Sequence, residues 1–419
     1  FLPPRRIFSQ CGFRNLFVLC RCRCVCAGAD QTVAPIFRVV LLSLLTHTAF
    51  KGSKVLMTLS ALELGANEFF VGVLFSTYAM FPLLLSIYAG KISDRIGFRK
   101  PMLLGSLGLF AGLMLPFLVF RLEMLYIAAA LIGFCYIFYT VAVQHLIGAM
   151  AEGLDRTKNY SWFSLGIGMT ALLGPTAAGF LIDAVGHRTT FTVLAALPVL
   201  PVLLLGLWVG WLPKTTHAPT SKAEKTNHRV GDLVRNRPLR RALITAGIIE
   251  TGLELYNLLL PIYGHRIGLS ASEIGLILGA FGLALLVVRA LMPHLIRRSS
   301  EERVLAASLM LATGVCVVFP FVTSFVTLLA ISFVLGMGLG CGSPLSMMLS
   351  YNRAPAGRSG EAMGLRQMVN KGTELLVPFV FGSLSTAFGM VPVFWLDAVL
   401  LAIAAALMSK DAADINKKP

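Results

Sequence analysis

The chain has 419 residues, of which 56% are hydrophobic and only 13% charged, and its mean hydropathy is +0.78. A water-soluble domain of that size cannot present such a surface, so the composition points to an integral membrane protein. The net charge of +16 would raise the question of nucleic acid in a soluble protein. Here no folded soluble region is left to carry a basic face, and a nucleic-acid partner is not expected.

Residues 1–33 read as a cytoplasmic tail. Within it Cys20, Cys22, Cys24 and Cys26 alternate with Arg21, Arg23 and Val25. That spacing, without histidine or a second cluster, matches no usual zinc pattern, so neither a metal nor a cofactor is expected. Arginines interrupt the apolar stretch Leu16–Cys20, which otherwise has the outline of a secretory signal.

Apolar segments follow at about 34–62, 67–89, 101–120, 122–149, 158–182, 190–211, 242–263, 272–295, 303–320, 325–350, 362–386 and 391–408. Each is long enough to cross a hydrocarbon core of about 30 Å as a helix. The expected fold is therefore all-α, with twelve transmembrane helices. With the amino terminus inside, Lys and Arg crowd the inner loops and the carboxyl tail, and only Arg121, Arg188 and Arg266 fall in outer loops. The insertion bias for basic loops then sets both termini on the cytoplasmic side of the cytoplasmic membrane.

Between the second and third spans lies Gly90-Lys-Ile-Ser-Asp-Arg-Ile-Gly-Phe-Arg-Lys100. Gly97 allows a backbone conformation that a side chain opposes, Asp94 can receive helix-terminal N–H groups, and Arg95 and Arg99 hold the loop in water. The order Gly90, Ile92, Ser93, Asp94, Arg95, Gly97, Arg99 resembles the helix 2–3 loop of the major facilitator superfamily, G-x-L-a-D-R-x-G-r-k. The resemblance implies that Gly90, Asp94, Arg95, Gly97 and Arg99 form a conformational-switch loop. Farther on, Gly174-Pro175-Thr176-Ala177-Ala178-Gly179 is similar to the G-x-x-x-G-P-x-x-G-G signature of proton-coupled antiporters, with Thr170 and Ala178 in place of two glycines. Small residues at Gly174, Pro175 and Gly179 also serve plain helix packing. Residues 354–364 look like the helix 10–11 connection of the same family. Where drug exporters often carry an arginine four residues before a helix 4 glycine, this chain has Ala129 before Gly133.

Polar, basic residues 213–241 read as a cytoplasmic linker between a bundle at 34–212 and a second at 242–408, with a tail at 409–419. Shifting the sequence by 203 residues superposes Gly65 on Gly268, Gly72 on Gly275, Gly133 on Gly336, Gly179 on Gly382 and Gly186 on Gly389, and brings Pro175 onto Pro378 and Phe191 onto Phe394. Such self-similarity predicts two pseudo-symmetric six-helix bundles. An arrangement of that kind, with its axis along the membrane normal, is how major facilitator transporters are built.

Ionisable side chains at membrane depth are costly, so those retained should face a cavity or one another. Span 1 carries His47, Lys51 and Lys54 on one stripe, and span 7 carries Glu250, Glu254 and Asn257 at the same spacing. These are the expected proton-coupling or gating groups, either as titrating carboxylates or as salt bridges closing one face of the pathway. Span 11 adds Asn370, Lys371 and Glu374. Together with Tyr256, Asn257, Tyr139 and Trp162 these form the expected substrate-binding set. Arg366 reads as a residue snorkelling toward the inner face. More cations than carboxylates in the spans lean toward an anionic or zwitterionic solute.

No His-Glu-x-x-His, Gly-x-Ser-x-Gly or phosphate-loop pattern occurs, so enzymatic chemistry is not expected. The sequence predicts a monomeric secondary transporter that moves a small organic solute by alternating access. The leading mechanism is proton-coupled export of a drug-like or metabolic compound. Proton-coupled uptake of an organic anion or zwitterion is the alternative, and a non-transporting receptor on the same fold is the third.

Overall fold

A computed structural model describes residues 15–150, 153–207, 233, 235–355 and 358–416, and among these the chain is helical throughout, without strands. The elements are α1 (Asn15–Glu63), α2 (Glu68–Ile96), α3 (Arg99–Leu118), α4 (Leu122–Ala149), α5 (Gly153–Leu207), α6 (Arg237–Arg266), α7 (Ala271–Arg298), α8 (Glu301–Val318), α9 (Phe325–Gly340), α10 (Gly342–Asn352), α11 (Ser359–Phe388) and α12 (Met390–Asn416). Ten helical stretches among the described residues are long and apolar enough to cross a membrane. One of them, Trp162–Leu207, contains two crossings. α11 supplies a further one, its hydropathy lowered by Arg366, Lys371 and Glu374, and α9 with α10 forms a single broken crossing.

The reversal inside α5 follows from its contacts. Before Gly186 the helix rises beside α1: Gly166 faces Val40 and Gly174 faces Lys51 and Gly52. Beyond it the second arm descends along α3, because Arg188 bonds the carbonyls of Phe117 and Leu118 whereas Arg99 bonds those of Leu205 and Gly206. Gly186 makes the turn with φ 80°, a left-handed value that a side chain would oppose. Its repeat partner Gly389 ends α11 at φ 81°, and Gly65 and Gly268 end α1 and α6 at φ 83° and 81°.

The halves are joined by two equivalent crossings. A Cβ on Gly72 of α2 would fall 3.2 Å from the Gly382 Cα of α11, and one on Gly275 of α7 would fall 3.2 Å from the Gly179 Cα of α5. Inside each half the likeness continues: a Cβ on Gly133 would meet the Tyr78 carbonyl at 2.6 Å, and one on Gly336 would meet the Phe281 carbonyl at 2.6 Å. Lipid offers no hydrophobic drive between helices, so close backbone approach at small residues is what holds such a bundle together.

Several boundaries differ from the sequence expectation. α1 is already helical from Asn15, ahead of the expected span, and α12 continues to Asn416. Residues 1–14 and the side chains of the tail cysteines lie outside the described residues, as does most of the linker. Leu233 is helical and packs with Leu239, Leu243 and Ala362.

Candidate functional site

At mid-depth three helices bring charged side chains together. Lys54 of α1 reaches Glu254 of α6 at 3.3 Å and Glu374 of α11 at 3.5 Å, with both ends of the first pair only 7% exposed. Lys371, three residues before Glu374 and thus on the same helix face, holds the other Glu374 oxygen at 2.5 Å. One turn before Glu254, Glu250 accepts a hydrogen bond of 3.2 Å from the Asn370 amide. The Lys54 ammonium also lies over the Phe75 ring, 4.5 Å from its centroid, so a buried cation is met by two carboxylates and an aromatic face. Lys371 nonetheless leaves 39% of its side chain exposed, and Lys51, Glu250 and Asn370 are part-exposed. The cluster is therefore not fully enclosed by protein.

Lys51, Lys54, Glu250, Glu254, Asn370, Lys371 and Glu374 thus gather in one place. Lys54, rather than the depth-equivalent Lys51, pairs with Glu254, because the repeat relates positions without making them face each other. Lys51 has its Cβ against Gly174 and no ion-pair partner among the described residues. Asn257 turns its amide back to the Leu253 carbonyl at 2.7 Å.

Four expected site residues lie elsewhere. His47 is enclosed by Tyr136, Tyr139 and Phe163 at ring distances of 5.4, 5.8 and 6.2 Å, and its Nδ1 meets the Ser43 carbonyl. Four residues before Lys51, it falls on the edge of the stripe that faces α4. Tyr139 itself is wholly buried against Gly105 of α3. Tyr256, two positions past Glu254, points some 200° around the helix; it stacks on Phe281 at 4.2 Å and packs into the second half. Trp162 is 50% exposed and sits on Phe37, fourteen residues before Lys51, about 20 Å along α1.

In the 90–100 loop, Gly97 ends α2 at φ 79° and donates to the Ser93 carbonyl. Arg99 caps the end of α5 through Leu205 and Gly206. Arg95 is exposed and Gly90 part-exposed. The side chain of Asp94 lies outside the described residues. Gly174 abuts Gly52 and Thr48, and Pro175 and Gly179 meet Gly275.

Arg366 is the functional candidate that the sequence reading undervalued. It is 6% exposed and donates to the Ser343 carbonyl at 3.1 Å and the Ser346 hydroxyl at 3.3 Å, both on α10. The signal was its spacing, since Arg366, Asn370 and Glu374 repeat every four residues and share one face.

The end carrying the α1–α2 and α6–α7 turns is tied shut across the halves. Arg266 pairs with Glu68, and Asp183 accepts the backbone N–H groups of Ala271 and Ser272 at 3.2 and 2.7 Å.

Two duplicated helical halves, with a charge cluster on their seam and a closure at one end, give the architecture of a membrane transporter. The chain belongs to the Major Facilitator Superfamily, whose family model matches residues 39–371 and again 242–414. It is 27% identical over 338 residues to a multidrug resistance protein MdtG of Klebsiella pneumoniae (strain 342), covering 78% of this chain and 80% of that one. A quinolone resistance protein NorA of Staphylococcus aureus (strain MSSA476) is 22% identical over 345 residues, covering 81% and 87%. Among solved structures, a peptide transporter POT in complex with sulfate superposes with a TM-score of 0.74 at 15% identity, over 91% of this chain and 94% of that one. The nucleoside transporter NupG gives 0.73 at 13%, over 90% and 99%.

Proposed function

We propose that the protein is a secondary transporter exporting a drug-like or metabolic organic compound against protons by alternating access. The observation that carries this is the Lys54 bridge. Its cation comes from the first half and its two carboxylates, Glu254 and Glu374, from the second. Rocking of the halves must strain or break that bridge, and a proton on either carboxylate weakens it. Charge state and conformation are thereby linked. The relatives named for multidrug and quinolone resistance support a drug-like cargo and the outward direction. The basic bias of the loops supports cytoplasmic termini in the inner membrane, and hence an outer location for the closed end. On that orientation residues 34–212 and 242–408 are the moving bundles, 213–241 joins them in the cytoplasm, and a single chain suffices.

Cells expressing the protein and preloaded with ethidium should lose the dye faster when the medium is made acidic. The Glu254→Gln variant should lose that acceleration. Efflux that ignores the proton gradient in the unaltered protein would overturn the coupled reading.

A further inference from the structure

The charges around Lys54 do not all cancel. Lys54 and Lys371 neutralise Glu254 and Glu374. What remains among the described residues is one carboxyl, Glu250, bonded only by the neutral Asn370 amide, and two cations, Lys51 and Arg366, with no described carboxylate within ion-pair reach. The hydrogen bonds show the same remainder. Among the described residues the Nε–H of buried Arg366 finds no acceptor, while the Asn370 Oδ1, one turn along the same helix face, receives no donor. Glu250 lies in the field of Lys51 and Arg366, as well as that of Glu254, Glu374 and Lys371. An unmet cationic donor thus stands beside an unmet acceptor and a carboxyl. At membrane depth each is expensive alone, and groups of opposite sign on one solute would satisfy both.

We propose that the site binds a zwitterionic amphiphile, its carboxylate received by Lys51 and Arg366 and its ammonium by Glu250 and the Asn370 carbonyl oxygen. A bare cation would meet Glu250 but leave Lys51 and Arg366 uncompensated, and a bare anion would do the reverse. Phe50, stacked on Tyr136 with centroids 3.6 Å apart, and Phe75 pack beside the Lys54 ammonium, so the apolar body would lie near aromatic rings. The assignment rests on the export reading for its coupling: an ammonium seated on Glu250 lies one helical turn from Glu254, so the solute and the proton-sensitive Lys54 bridge act on one shared field.

The test uses 3-(2-naphthyl)alanine, its methyl ester, which keeps only the cation, and its N-acetyl derivative, which keeps only the anion. Binding is measured by calorimetry on the purified full chain in lipid nanodiscs. The amino acid should bind roughly tenfold tighter than either derivative. Lys51→Met should collapse its advantage over the ester, Glu250→Gln its advantage over the N-acetyl form, and Lys51→Arg should restore the first ratio. Unliganded melting temperatures establish that each variant is folded. An ester that binds as tightly as the amino acid, a Lys51→Met ratio that does not move, or no binding of any of the three would overturn the assignment. Proton-driven ethidium efflux alongside such a failure would leave the transport reading standing, whereas zwitterion-selective binding without proton-driven flux would sink transport and keep the ligand class.

Discussion

The carboxylate of Asp183 on α5 accepts the backbone N–H of Ser272 on α7 at 2.7 Å, so one half of the protein caps the first turn of a helix in the other. Ala271 gives its N–H to the second oxygen at 3.2 Å. The helix N-terminus carries partial positive charge, which strengthens the bond. The repeat offers no copy of it: Asp183 corresponds to Thr386, Ala271 to Glu68 and Ser272 to Phe69, and Glu68 pairs with Arg266 instead. Asp183→Ala should therefore loosen closure at that end. Losing a helix cap costs about 1 kcal/mol, roughly a fivefold change in the balance of two states. Electron-spin distances between labels on the α1–α2 and α6–α7 turns should gain a longer population, and identical distributions in the two proteins would refute the latch.

Removing Lys54 leaves two buried carboxylates beside a single lysine. Breaking a buried pair from one side costs about 3–5 kcal/mol. Lys54→Met should lower the melting temperature markedly, and adding Glu254→Gln should recover part of the loss, since Glu374 keeps Lys371. A double variant no more stable than the single one would show that the bridge contributes little.

Gly72 and Gly275 should respond alike to the same change. A methyl group at either meets backbone of the opposite half, and overpacking of this kind costs about 1–3 kcal/mol. Gly72→Ala and Gly275→Ala should each lower thermal stability by a similar amount. Gly364→Ala, where nothing lies within 4 Å, should be neutral or mildly stabilising through helix propensity. Opposite signs at the two crossing positions would contradict their equivalence.

Arg99 holds two carbonyls at the end of α5. Hydrogen bonds from a charged donor contribute about 1.5–3 kcal/mol each, although partial exposure of Arg99 weakens them. Arg99→Ala should speed amide hydrogen exchange in the last turn near Leu205 without altering α1. Unchanged exchange there would refute the cap.

Much of this was legible in the chain itself. The 203-residue shift anticipates that Gly72 and Gly275 are equivalent and that Gly186 and Gly389 both end rising helices, because each needs glycine for a steric reason that sequence preserves. Charges at membrane depth marked Lys54, Glu254 and Glu374, since only mutual contact makes them tolerable. Rotation about the helix was harder to read. Tyr256 shares α6 with both glutamates yet faces Phe281, and His47 shares α1 with the lysines yet faces Tyr136, since amphipathic patterning is weak when both lipid and core are apolar. Arg366 was misplaced for a related reason: position near a helix end does not distinguish a snorkelling arginine from one tied to Ser343 and Ser346.

The two glycine crossings have a mechanical corollary. Where α2 passes α11 at Gly72 and Gly382, and α5 passes α7 at Gly179 and Gly275, main chain lies directly on main chain, and few side groups, Thr176 and the Phe69–Phe379 pair among them, reach across. At those two points a tilt of one bundle against the other mainly costs dispersion, so the ionic resistance to motion is concentrated in the Asp183 clasp, the Arg266–Glu68 pair and the Lys54 knot. Any movement of one bundle past the other would then be governed by the charges and capped amides at those three places more than by friction along the seam.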